Sequence, residues 1–72
     1  MSDTVDARGL SCPQPVIMTL NKIKTMGNGT LDILADTETS KENIVRAAES
    51  KGWDVADISE ENNSFKICIK KG

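Results

Sequence analysis

Histidine and tyrosine are absent from the 72 residues, and cysteine and proline occur only twice each. Without histidine there is no protease-type Cys-His dyad, no imidazole ligand for a metal and no histidine general base. Trp53 and Phe65 are the only aromatic residues, too few for a row of base-stacking platforms. Neither sign of charge dominates: nine basic and eleven acidic residues leave a net charge of -2. An extended phosphate-binding surface is therefore not expected, and direct nucleic-acid binding is set aside. No apolar run approaches the roughly 20 residues that cross a bilayer, and no secretory signal pattern is present. The expectation is a cytoplasmic protein without membrane insertion. Cys12 and Cys68 lie far apart in the chain, and neither sits in a CxxC or CxxH spacing. A disulfide framework, a redox dithiol and a zinc knuckle thus find no support.

What is present is concentrated. Both prolines and one cysteine fall within Cys12-Pro13-Gln14-Pro15, just ahead of a helical pattern. Pro13 suits the first helical position, where its missing N–H would have had no partner, and it pushes Cys12 toward the flanking cap geometry. Pro15 still falls within the first turn, so no helical donor is lost there. A thiol at a helix start meets partial positive charge that favours the thiolate. The effect is modest: about 0.3 to 1 kcal/mol, against about 1.36 kcal/mol per pKa unit, lowers a thiol by less than about one unit from about 8.5. With no histidine available, chemistry at Cys12 must run on the thiolate alone. Transfer of sulfur between thiols through a persulfide meets that restriction.

Seventy-two residues make one small domain that buries only about 60% of the surface its unfolded chain exposes. Residues 4–7 read as a first strand, residues 8–11 as a turn, and residues 13–26 as a helix with Val16, Ile17, Leu20 and Ile23 on its apolar face and Thr19 off it. Gly27-Asn28-Gly29 ends that helix, and residues 30–35 read as a second strand. Thr39-Ser40-Lys41-Glu42 matches a capping box and opens a second helix, which carries Ile44, Val45, Ala47 and Ala48 inward and stops near Gly52. Residues 53–60 and 64–70 read as a hairpin about the turn at 61–63, with Phe65, Ile67 and Ile69 facing one way and Lys66, Cys68 and Lys70 the other. The order β-α-β-α-β-β predicts an α/β (α+β) two-layer sandwich, with both helices on one face of a mixed four-stranded sheet. The charged end Lys70-Lys71-Gly72 fits either a true terminus or a cut before another domain.

The stretch Asp6-Ala7-Arg8-Gly9-Leu10-Ser11-Cys12-Pro13-Gln14-Pro15-Val16 resembles the signature of the TusA-like, or SirA-like, sulfur carrier family, in which a CPxP motif opens the first helix. Asp6, Gly9, Leu10, Cys12, Pro13 and Pro15 carry the match, and length and element order fit along all of residues 1–72. The wording around Asp6 to Leu10 is similar to the YedF-like branch. The resemblance implies a persulfide carried on Cys12, received from a cysteine desulfurase or rhodanese-type donor and passed to a downstream acceptor protein. It implies service in tRNA thiolation, cofactor sulfuration, thiosulfate use or selenium-related metabolism, with no metal or organic cofactor. Whether such a carrier counts as an enzyme is partly convention, since it is an intermediate in sulfur transfer.

Each residue has a plainer alternative. Cys12 as an incidental thiol would leave a protein-docking or regulatory module. Asp6 is either an ordinary strand-end residue or an acceptor that shapes the turn, and Gly9 serves backbone geometry. Arg8 either stabilises the thiolate or is solvated and meets a partner's acidic surface. Lys22 and Lys24 are candidate contacts for an acidic donor, or merely solvated. Cys68 is expected to be structural.

Overall fold

A computed structural model describes residues 2–10 and 14–72. Its elements follow in the order β1 (Ser2–Asp6), α1 (Gln14–Met26), β2 (Gly29–Ala35), α2 (Glu38–Ser50), β3 (Asp54–Glu61) and β4 (Ser64–Lys71). The strands form one sheet in the order β1-β2-β4-β3, parallel between β1 and β2 and antiparallel elsewhere. This is the expected α+β arrangement of two helices and a mixed four-stranded sheet. The Ser11-Cys12-Pro13 segment, and with it the predicted thiol and the first proline, lies outside the described residues.

The strands alternate as a sheet with one covered face must. Leu31, Ile33 and Ala35 of β2 and Ile67 and Ile69 of β4 are fully buried, together with Ile44 and Ala48 of α2. Val5, Ala7, Ile23 and Trp53 complete that core. Cross-strand pairing sets Val5 beside Ile33, Ile33 beside Ile67 and Ile67 beside Ile58, so an apolar row runs across the sheet. In β3 the register shifts between Val55 and Asp57. Val55 pairs with Ile69 and Ile58 with Ile67, so two residues three apart share a face. Strict alternation forbids that, and the extra residue of a bulge at Ala56 permits it.

Four local expectations are corrected. The buried positions of α1 are Pro15, Thr19 and Ile23, a row at spacing four, whereas Ile17 is 42% exposed on the opposite side. Thr19 can occupy the buried row because its hydroxyl donates to the Pro15 carbonyl at 2.9 Å, so no polar atom is stranded. The second helix starts earlier than the Thr39 capping box predicts. Thr37 is the N-cap, with extended backbone and a side-chain oxygen that accepts from the Ser40 N–H at 3.1 Å. With Thr37 as the cap, Ser40 falls in the first turn and is buried there. The hairpin turn is tighter than residues 61–63. Asn62 and Asn63 both have positive φ, 49° and 65°, the signature of a two-residue type I′ turn that keeps Glu61 in the ladder. The first strand ends at Asp6 rather than Ala7, although the Ala7 N–H still reaches the Leu34 carbonyl at 2.9 Å.

Candidate functional site: the turn ahead of the first helix

Because β1 and β2 are parallel neighbours, the segments that leave their C-terminal ends emerge side by side, the usual place for sites in α/β sheets. From β1 the chain runs through Ala7, Arg8, Gly9 and Leu10 toward Cys12, and from β2 it runs through Asp36 to the Thr37 cap.

Three consecutive N–H groups are secured in this stretch. Ala7 donates to the Leu34 carbonyl at 2.9 Å, Arg8 to Asp6 Oδ1 at 3.1 Å, and Gly9 to Asp36 Oδ2 at 2.8 Å. The Asp6 carboxylate also takes the Arg8 guanidinium in a two-pronged grip, Nε on Oδ1 and Nη2 on Oδ2, each at 2.9 Å. This fork-on-fork geometry is the strong form of an arginine–carboxylate pair. The hydrogen bonds from the Arg8 side chain and backbone hold the Asp6 pKa down at about 2, and Asp6 in turn raises that of Arg8. Asp36 also adds to the field on Arg8. The guanidinium is therefore paired with Asp6 and sits in the weaker field of Asp36, so the turn brings two acidic side chains to one basic one. Gly9 adopts φ +78°, with open space where a Cβ would project, so its requirement is conformational rather than steric.

The predicted site residues are thus distributed unevenly. Asp6, Arg8 and Gly9 come together in one hydrogen-bonded turn, and Leu10 follows with 37% of its surface exposed. Pro15 is buried in the first turn of α1. Cys12 and Pro13 fall outside the described residues. Lys22 Nζ lies 3.6 Å from Asp3 Oδ2 and ties α1 to β1. Lys24 is exposed in the last turn of α1, where a cation suits the helix dipole. At about 1.5 Å per residue, these lysines sit about 12 and 15 Å along the axis from Gln14. Asp36 was not among the predicted residues. Its signal in the sequence is a carboxylate directly after a strand parallel to β1, which becomes informative only once that pairing is assumed.

Cys68 lies on the other face of the sheet, half-buried and opposite Asp32 and Asp57 in the ladder. Burial pushes its thiol pKa up, and the hydrogen bond and charge of Asp32 push the same way. Among the described residues, no cluster of acidic or cysteine side chains could hold a metal ion, and no helix is long and apolar enough to cross a membrane.

Comparison with known proteins places this geometry. The family model described as sulfurtransferase TusA matches residues 3–71. A Methanocaldococcus jannaschii protein provisionally named a sulfur carrier is 35% identical over 68 residues, covering 93% of this chain and 91% of its own. The sulfur carrier protein TusA of Pseudomonas aeruginosa is 29% identical, with 93% and 86% covered. The crystal structure of a SirA-like protein from Desulfitobacterium hafniense matches with a TM-score of 0.89 at 29% identity, over 97% of each chain. With sequence and fold agreeing from one end of the chain to the other, this protein belongs to the TusA family of sulfur carriers.

Proposed function

We propose that Cys12 is the sulfur-bearing residue, and that the 72 residues act as one cytoplasmic carrier unit between a donor of the cysteine desulfurase or rhodanese type and a downstream acceptor protein. One observation carries most of the weight: in a chain of the sulfur carrier family, the hydrogen-bonded turn over residues 6–9 leads directly into the Cys-Pro-Gln-Pro stretch, and α1 begins at Gln14. Cys12 is two residues from Gln14 in sequence.

The chemistry is an exchange without net oxidation. The Cys12 thiolate, having released its proton to solvent, attacks the terminal sulfur of the donor's persulfide. The donor's S–S bond breaks, its cysteine leaves as a thiolate that water reprotonates, and a new S–S bond forms on Cys12. Delivery repeats the step with the acceptor as nucleophile. Arg8 is engaged by Asp6 and contributes no uncompensated positive charge, so strong thiolate stabilisation from that side chain has no support. A carrier does not require it, because the donor supplies sulfur already activated and a thiol loses intrinsic nucleophilicity as its pKa falls. Tight capture would also oppose release.

Intact-mass analysis after incubation with a cysteine desulfurase and cysteine tests this function. Wild type and Cys68→Ser are expected to gain one sulfur, and Cys12→Ser none. Undiminished gain by Cys12→Ser, or no gain by wild type with several unrelated donors, would count against it. The second outcome would favour a docking role for the same surface.

A further inference from the structure

We infer that Asp36 is a positioning residue for sulfur transfer: its carboxylate ties the Gly9 N–H, three residues ahead of Cys12 in sequence, to the junction between β2 and α2. The inference rests on Cys12 being the sulfur-bearing residue and adds a second part of the chain to its site.

The geometry is specific. Asp36 Oδ2 accepts the Gly9 N–H at 2.8 Å across 27 positions of sequence, whereas the other clamp in the turn, Asp6 on Arg8, is local. A local clamp shapes the turn but does not place it. Placement relative to the sheet comes from the Ala7 bond to Leu34 and then, two residues further on, from Asp36. Among the described residues, Gly9 is the last before Cys12 whose N–H is tied to a distant part of the chain. Asp36 is fixed in its turn: it immediately precedes Thr37, whose side chain caps α2 and whose carbonyl accepts the Lys41 N–H at 3.0 Å. The anchor therefore runs from the start of α2, through Asp36, to the segment leading into α1.

Energetics separate positioning from stability. The Gly9–Asp36 bond is exposed, so water can replace it at little cost when either partner is removed. It is also charge-assisted and short, which makes it directional. Removing it should leave the fold intact while freeing the backbone at Gly9, and transfer between two docked proteins is sensitive to misplacement of about 1 Å, which can cost up to about a hundredfold in rate. Gly9 suits this arrangement because φ +78° is open to it without strain.

The test uses Asp36→Ala and Asp36→Asn in a Cys68→Ser background, where Cys12 is the only thiol. Three quantities are read: the rate of sulfur uptake from a desulfurase, the pH profile of alkylation by iodoacetamide, and hydrogen exchange of the Gly9 amide. Asp36→Ala is expected to slow uptake by about tenfold or more and to leave small-molecule alkylation within about twofold. Asp36→Asn, whose amide oxygen still accepts from Gly9, is expected to restore most of the uptake. In the parent protein the Gly9 amide is expected to exchange measurably more slowly than an unbonded amide, and in Asp36→Ala at the unbonded rate.

Uptake by Asp36→Ala at the parental rate would overturn the inference, as would an equal loss in Asp36→Asn or an unprotected Gly9 amide in the parent. An unprotected Gly9 amide in the parent overturns the inference even where a variant folds poorly. A parent protein that takes up no sulfur would instead sink the assignment of Cys12, a distinguishable failure.

Discussion

Asp6 illustrates how one side chain can impose order on an exposed turn. Its carboxylate meets both the backbone and the side chain of Arg8, and its pKa falls from 3.8 to about 2. A depressed carboxyl pKa contributes stability that is present above the unfolded value and is lost as pH falls toward the folded one. The turn should therefore hold down to about pH 3.8 and loosen as pH falls toward about 2. Carbon-detected NMR of the Asp6 carboxyl is expected to show a midpoint near 2, and a midpoint at the ordinary value would mean that the grip of Arg8 is absent in solution. Cys68 shows the opposite tendency. With its pKa raised by burial and by Asp32, it should resist alkylation at neutral pH. Its contribution to stability is present below the unfolded pKa and lost as pH rises through the folded one. Thiol-specific labelling of Cys12→Ser is expected to be slow at pH 7 to about 8 and to accelerate only in the alkaline range, or on unfolding. Rapid labelling at neutral pH would contradict this. At this scale the sequence offered Asp6 as an acceptor for the turn, as the Arg8 N–H bond shows it to be, but not the partner of Gly9. That Asp36 would reach Gly9, 27 positions away, depends on strand pairing that no single residue reveals.

At the scale of elements, the second helix separates a motif from its mechanism. Thr39-Ser40-Lys41-Glu42 has the residue types of a capping box, yet the cap is Thr37. A Thr→Ala change at a true N-cap typically costs about 1 kcal/mol, whereas an ordinary exposed position changes stability by less than about 0.5 kcal/mol. Urea denaturation is expected to show the larger loss for Thr37→Ala and near-neutrality for Thr39→Ala, and the reverse order would restore the capping box. Element types and order were readable because apolar periodicity and Gly/Asn punctuation are strong local signals. Facing was less so. The inward row of α1 passes through Thr19, a polar residue that buries by bonding the Pro15 carbonyl, and the bulge in β3 breaks the period-two pattern at Ala56.

For the whole molecule, a small core makes every large side chain count. A chain of this length is expected to have roughly 4 to 11 kcal/mol of folding stability, at about 0.05 to 0.15 kcal/mol per residue. Ile67 is fully buried, paired with Ile33 on one side and Ile58 on the other. Ile67→Ala is expected to cost about 2 to 5 kcal/mol, a large share of that total, and calorimetry would show a transition moved down by many degrees. A shift no larger than that of a surface substitution would contradict the placement of the core. The sheet and helices thus give a base to which the turn over residues 6–9 is tied through Ala7 and Gly9. The family and the role of sulfur carrier follow from the match over residues 3–71, whereas the donor and acceptor depend on surfaces of other proteins. The most direct measurement is peptide mapping of wild type after loading by a desulfurase with cysteine, with persulfides trapped by alkylation before digestion. The added sulfur is expected on the peptide that contains Cys12, with the Cys68 peptide unmodified; sulfur found on Cys68 instead, with the Cys12 peptide unchanged, would contradict the proposed carrier site.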